Sequence, residues 1–155
     1  MHFLLCSFVL LAAIVSFSQE STQPSARAEP ANQSFSGEVA EGLVGQFCDG
    51  IVGLDREATL AVFDRERMPD YSAFAEQIGL MFAHYDSFQV RYELLQIAGE
   101  AGANLALIDF TLEAVPAGEN QLPVRRSAQL RFTFSQGKAG WKVSDLQPRE
   151  FFAQF

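Results

Sequence analysis

Between Glu38 and Leu54 the apolar residues Val39, Leu43, Val44, Phe47, Ile51 and Leu54 recur at a spacing close to the ~3.6-residue turn of an α-helix, with Glu38, Glu41 and Asp49 opposite. The pattern predicts a helix with one buried and one wet face. Asp55 is suited to cap a short second helix carrying Leu60 and Phe63, and Pro69-Asp70 ends that unit and starts a third. In the third, Tyr71, Phe74, Ala75, Ile78, Met81, Phe82 and Tyr85 make a single continuous stripe.

After Asp86 the period falls to two. Phe88, Val90, Tyr92 and Leu94 alternate with Gln89, Arg91 and Glu93, so a strand begins. Gly99 to Gly102 predicts a turn, Leu105 to Val115 a second strand, Val124 to Ser135 a third, and Trp141 to Leu146 a fourth after the turn at Gln136 to Gly140. Four consecutive strands of roughly ten residues predict a long antiparallel meander that curls strongly. With the helices placed first, this is an α+β layout in which they cover the concave face of the sheet.

The alternation assigns Phe88, Val90, Tyr92, Leu94, Ala106, Ile108, Phe110, Leu112, Ala128, Leu130, Phe132, Phe134, Trp141 and Val143 to the inner face. That set is strongly aromatic, which suits either a packed core or the lining of an apolar pocket. The outer face receives Arg91, Glu93, Asp109, Thr111, Glu113, Arg131 and Thr133, with Leu95, Ile97, Leu105 and Leu107 gathered near the first hairpin. A mixed face of this kind fits a dimer contact.

Residues 1–18 contain no Lys, Arg, Asp or Glu, and their apolar run is too short for the ~20 residues that span a membrane, so they predict a signal peptide and an exported protein. Ser16 and Ser18 suit a cut before Gln19, and Ala26 and Ala28 a later one before Glu29; the first is preferred. Residues 19–36 are rich in Ser, Pro, Gln, Ala and Asn and predict a disordered linker, leaving 37–155 as one domain. No membrane contact is expected after cleavage. Cleavage removes Cys6, so no internal disulfide remains to the mature chain and Cys48 is expected to be a buried, inert thiol.

At 155 residues and 48% apolar, the chain has material for one real core. Its net charge of -8 argues against nucleic acid as a partner. The charge is nevertheless polarised: residues 36–90 hold ten acids and three bases, whereas residues 121–149 hold one acid and six bases. Such a dipole would steer an anionic ligand or orient two copies against each other.

The order of elements, together with the closing strand Gly140-Trp141-Lys142-Val143-Ser144-Asp145-Leu146, resembles the nuclear transport factor 2-like superfamily, a cystatin-like cone, over about Gly37 to Phe155. The resemblance implies a pocket between curled sheet and helices, and dimerisation through the convex face. It includes ketosteroid isomerases, scytalone dehydratases and polyketide cyclases alongside many non-catalytic domains, so a small-molecule isomerase, dehydratase or cyclase is the alternative to a ligand-binding or protein-interaction module.

The residues favour the module. An isomerase-like site would need a carboxylate and a Tyr or protonated acid inside the cone, yet Asp109 alternates outward near Arg91 and Arg131. A dehydratase-like site would combine His, Tyr and Asp, but His84 and Asp86 project about 120° and 80° from the stripe that holds Tyr85. No metal or cofactor is expected, since His84 stands alone after the leader. Arg126 falls on the inner side near the open end of the cone. There it would either reach solvent or hold the carboxylate of an apolar ligand lodged among Tyr85, Tyr92, Phe110, Phe132 and Trp141. The terminus, with Phe151, Phe152 and Phe155, is apolar enough to dock on the helices or on a partner.

Overall fold

Ser36 accepts a hydrogen bond from the Val39 amide and so starts α1, Gly37–Val52. The computed structural model describes residues 34–100, 103–118 and 120–153, without the side chains of Glu100 and Ala103; the segment expected to be a signal peptide, most of the expected linker, Ala101-Gly102 of the first turn, and Phe155 lie outside them. Phe35 already belongs to the packed domain, its ring 5.0 Å from that of Phe134 and 5.2 Å from that of Trp141. The predicted cap at Asp55 is present: its carboxylate accepts from the Ala58 amide at 2.9 Å and opens α2, Arg56–Ala61. Arg56 then donates through Nε and Nη2 to the Ala75 carbonyl, tying α2 to α3, Tyr71–His84.

Four strands come next: β1 Tyr85–Glu100, β2 Ala103–Pro116, β3 Val124–Gly137 and β4 Gly140–Gln147, antiparallel in the order β1-β2-β3-β4. The meander is as expected, with all four strands longer than predicted. α1 packs against both edge strands, β1 and β4, which is possible because the sheet curls around it. Val62 to Asp64 covers the middle of the β4 edge by pairing in parallel with Val143, one way of closing an otherwise bare row of backbone groups.

Three register irregularities explain where strict alternation fails. One falls at Asp86, so Tyr85, expected in the helical stripe, instead opens β1 and still turns its ring inward. A second at Leu95 corrects the expected outward position of Ile97: it pairs with the fully buried Ala106 and reaches toward α1 at Gly37. The third, at Ser144, lets Val143 and Leu146 both face the core although they are an odd number of residues apart. With those adjustments the predicted inner set is buried or packed at the edge of one core.

Candidate functional site

The inner face is closed over by rings from three directions. Phe47 of α1 sits at the centre, 5.5 Å from Phe63 and from Phe152, 5.9 Å from Phe132 and 6.3 Å from Phe110, mostly edge to face. Phe74 of α3 closes on Phe63 and Phe152. The C-terminal turn, Arg149–Phe152, brings Phe151 and Phe152 against Phe110, with Phe152 wholly buried. Edge-to-face rings at these separations are the favourable arrangement for aromatic quadrupoles.

Arg126 is half-buried on the inner side and points at that turn. Its Nη1 donates to the Phe151 carbonyl at 3.0 Å and to the Ala153 carbonyl at 2.9 Å. Two further contacts hold the turn: Gln77 Nε2 donates to the Arg149 carbonyl at 2.7 Å, and Arg149 pairs with Asp145 at 2.6 Å and Asp70 at 3.8 Å. The apolar terminus therefore docks on its own domain as far as Ala153.

The residues expected to line one pocket do not gather around one point. Phe110, Tyr92 and Arg126 share one end of the sheet, where Tyr92 pairs with Phe110 and Arg126 with Leu112. Trp141 pairs with Gln136 near the opposite end, about 33 Å from Arg126 along the strand at ~3.3 Å per residue. Phe132 lies between them, fully buried. The missed contributors, Phe47, Phe74, Phe151 and Phe152, come from helices and terminus; Phe47 and Phe74 stand in the predicted stripes, but alternation within strands carries no information about which helix ring meets which strand ring.

His84, Tyr85 and Asp86 do not converge, since His84 and Asp86 are exposed while Tyr85 is buried. Asp109 is exposed on the outer face as expected. It pairs in register with Glu93 and Gln129, with Arg91 and Arg131 diagonal to it on the same face, and Arg131 donates to Gln147. Among the described residues no group of three or more His, Cys, Asp or Glu is placed to hold a metal ion, and no helix is long and apolar enough to cross a membrane.

Cys48 is buried on α1, and desolvation, with Asp49 adding to it, pushes its thiol up to about 12. The Tyr92 hydroxyl lies beside Gly45 on the same helix and is raised as well, first by desolvation and then by Cys48 and nearby acids. A raised folded value favours the neutral thiol, so its contribution to stability is fully present below pH ~9, the unfolded value, and is lost as pH climbs toward ~12. Wild-type protein should therefore lose urea resistance between about pH 8 and 10.5 more steeply than Cys48→Ala. Iodoacetamide should label Cys48 only once the chain is unfolded; rapid labelling of folded protein would contradict the burial.

The outer surface carries a cleft of about 580 Å³, bounded by Leu107, Gln129, Arg131 and Gln147 of the sheet and by Arg149 and Glu150 of the turn. Around it the face mixes polar pairs, such as Thr111 with Ser127 at 2.9 Å, with exposed Leu95 and half-buried Leu105 and Leu107.

No protein-family model matches the chain, and no curated protein matches it in sequence. Its fold does match solved structures. A nuclear transport factor 2-like superfamily protein from Salmonella enterica aligns at 14% identity and TM-score 0.61, over 70% of this chain and 86% of that one. A conserved protein from Planctomyces limnophilus aligns at 8% and 0.60, over 69% and 89%. A type 2 hexachlorocyclohexane dehydrochlorinase aligns at 10% and 0.51, over 69% and 79%. At such identities the likeness shows the fold alone, the nuclear transport factor 2-like cone, and fold does not carry function with it.

Proposed function

We propose that this nuclear transport factor 2-like cone is an exported, non-catalytic interaction module that works as a homodimer through the outer face of its sheet. The observation that carries this reading is the interior, where Phe47, Phe74, Phe110, Phe132, Phe151 and Phe152 occupy the space in which a pocket-based enzyme of this shape would hold substrate. What remains for recognition is the outside. There Glu93 and Asp109 face each other directly across β1 and β2, an arrangement of like charges that costs stability within one sheet.

A second copy related by a two-fold axis relieves that cost. In such an interface each surface meets itself, so Arg91 or Arg131 of one copy can approach Glu93 and Asp109 of the other, while Leu95, Leu105 and Leu107 supply the apolar centre. The polarised charge of the chain favours the same approach.

Light scattering behind gel filtration should give twice the chain mass at micromolar concentration. Leu107→Arg should give the single-chain mass with an unchanged circular dichroism spectrum, because it adds charge at the apolar centre of the contact without touching the inner core. A wild-type monomer would defeat the dimer. Intact mass of protein recovered outside the cell tests export: a chain beginning at Gln19 or Glu29 supports it, and one retaining Met1 refutes it.

A further inference from the structure

β4 ends before β3 does. Its last pair is Gln147 with Arg131, because the next residue is Pro148, which has no amide hydrogen to continue the ladder and carries the chain off into the terminal turn. β3 extends past that pair from Leu130 back to Val124, with β2 on one side and, among the described residues, no strand on the other. The outer edges of β1 and β4 are better covered, the first by α1 and the second by Val62 to Asp64. Where β4 leaves the sheet, the outer cleft opens between Gln129 and Arg131 of β3 and Pro148, Arg149 and Glu150 of the turn. We propose that the bare edge of β3 is a docking site for an extended acidic segment of a partner protein, which joins the sheet as a strand in line with β4. This goes beyond the outer-face reading, because the guest bonds to the rim of the sheet and needs no second copy.

A bare strand edge offers a fixed row of amide donors and carbonyl acceptors, so its backbone supplies affinity and its alternate side chains select the guest. Arg125, Ser127, Gln129 and Arg131 are exposed on the outer side of this stretch. A guest residue opposite Gln129 is diagonal to Arg131, and the guest residue four positions away is opposite Arg125; both places favour a carboxylate. Among the described residues neither arginine has a carboxylate within ion-pair distance, although Glu113 pairs in register with Arg125. Across the cleft Arg149 is already matched by Asp145 and Asp70, and Glu150 adds a negative charge, so the preference comes from β3. The same charges disfavour a second copy as the guest: two such edges side by side would gather Arg125 and Arg126 of both chains.

The stretch Val124–Leu130 is about 20 Å long at ~3.3 Å per residue. The peptide Thr-Glu-Val-Thr-Val-Glu-Thr matches that length, sets its carboxylates four residues apart on one side, and reads alike in both directions. It therefore suits a parallel or an antiparallel guest. Its counterpart with glutamine for both glutamates keeps the backbone and loses the charge.

Fluorescence anisotropy of the two peptides, each labelled at one end, measures their binding to the protein. The acidic peptide should bind saturably and about tenfold more tightly than the glutamine peptide. Arg125→Gln lies about 20 Å along β3 from Arg131 and so clear of the apolar centre of the dimer contact; it should weaken the acidic peptide about threefold and leave the glutamine peptide unchanged. A guest strand turns every second amide to its host, so N-methylation of one alternate set of peptide amides should abolish binding and that of the other set should preserve it. On saturation, hydrogen exchange should slow within Val124–Leu130 and stay unchanged in β1. No binding by either peptide, equal affinity for the two, or protection confined to other segments would each overturn the proposal. Binding that appears only after removal of Gln154 and Phe155 would overturn it as well, by giving the edge to the chain's own end. None of these outcomes bears on whether the chain dimerises.

Discussion

Replacing Phe47 by alanine is expected to destabilise the domain by about 3–5 kcal/mol. The side chain is fully buried and its ring meets those of Phe63, Phe110, Phe132 and Phe152, which belong to four different parts of the chain. Its removal therefore combines the lost burial of a large apolar group with a cavity that no single neighbour can fill, since each would have to leave its own strand or turn. For a domain of this size the melting temperature should fall by more than about 10 °C. Phe82→Ala, at a half-buried ring in contact with Phe88, should lose clearly less. Urea unfolding at constant m distinguishes the outcomes; a Phe47→Ala midpoint within error of wild type would mean that the cone interior is not packed as described, and would also remove the support for a module working from its outside.

The fold was largely legible because each element buries one face only. A stripe at helical spacing or an alternation at strand spacing reports directly which side is inside, and it located α1, α3 and the four strands to within a few residues. Ile97 was placed on the wrong face because it lies beyond an extra residue in β1, at Leu95, and a bulge reverses the facing of the residues after it without any compositional mark. The three-residue step from Val143 to Leu146 is the same effect in β4. Tyr85 was given the right side but the wrong element, since the apolar stripe of α3 runs on without a break into the first residue of β1.

The candidate site was legible in kind and not in arrangement. Arg126 could be placed on the inner side from alternation, and the aromatic terminus was conspicuous, but that the two meet depends on how the chain turns back after Gln147, which no periodicity encodes. Trp141 looked like a pocket residue because it shares a face with Phe132; its actual neighbour is Phe35, in a segment whose composition reads as linker. Likewise the outward face of Asp109 and its nearness to Arg91 and Arg131 were legible, but not that register sets it directly opposite Glu93. Face is set by sequence period, while register and terminus docking are set by bulges and long-range contacts.

Gly50→Ala should be destabilising by about 1–3 kcal/mol or more even though alanine is the better helix former by about 1 kcal/mol. A Cβ on Gly50 would stand 2.6 Å from the Thr59 amide nitrogen and hydroxyl and 2.8 Å from its Cα, so α1 and α2 touch backbone to backbone at this point. Thr59 cannot retreat: its amide and its hydroxyl both donate to the Asp55 carbonyl, at 2.9 and 2.6 Å, while Asp55 donates its own amide to the Gly50 carbonyl. Removing the hydroxyl with Thr59→Ala should therefore fail to rescue Gly50→Ala, because the amide nitrogen and Cα remain in the way. Gly42, one helix face away with nothing within 4 Å of a built Cβ, provides the opposite sign. Gly42→Ala should stabilise by up to about 1 kcal/mol through helix propensity and the reduced freedom of the unfolded chain. Urea midpoints of the two single variants and of the Gly50→Ala, Thr59→Ala pair measure all three effects, and a Gly50→Ala protein as stable as wild type would show that the corner holding α2 against α1, and with it Phe47 against the sheet, is looser than the packing implies.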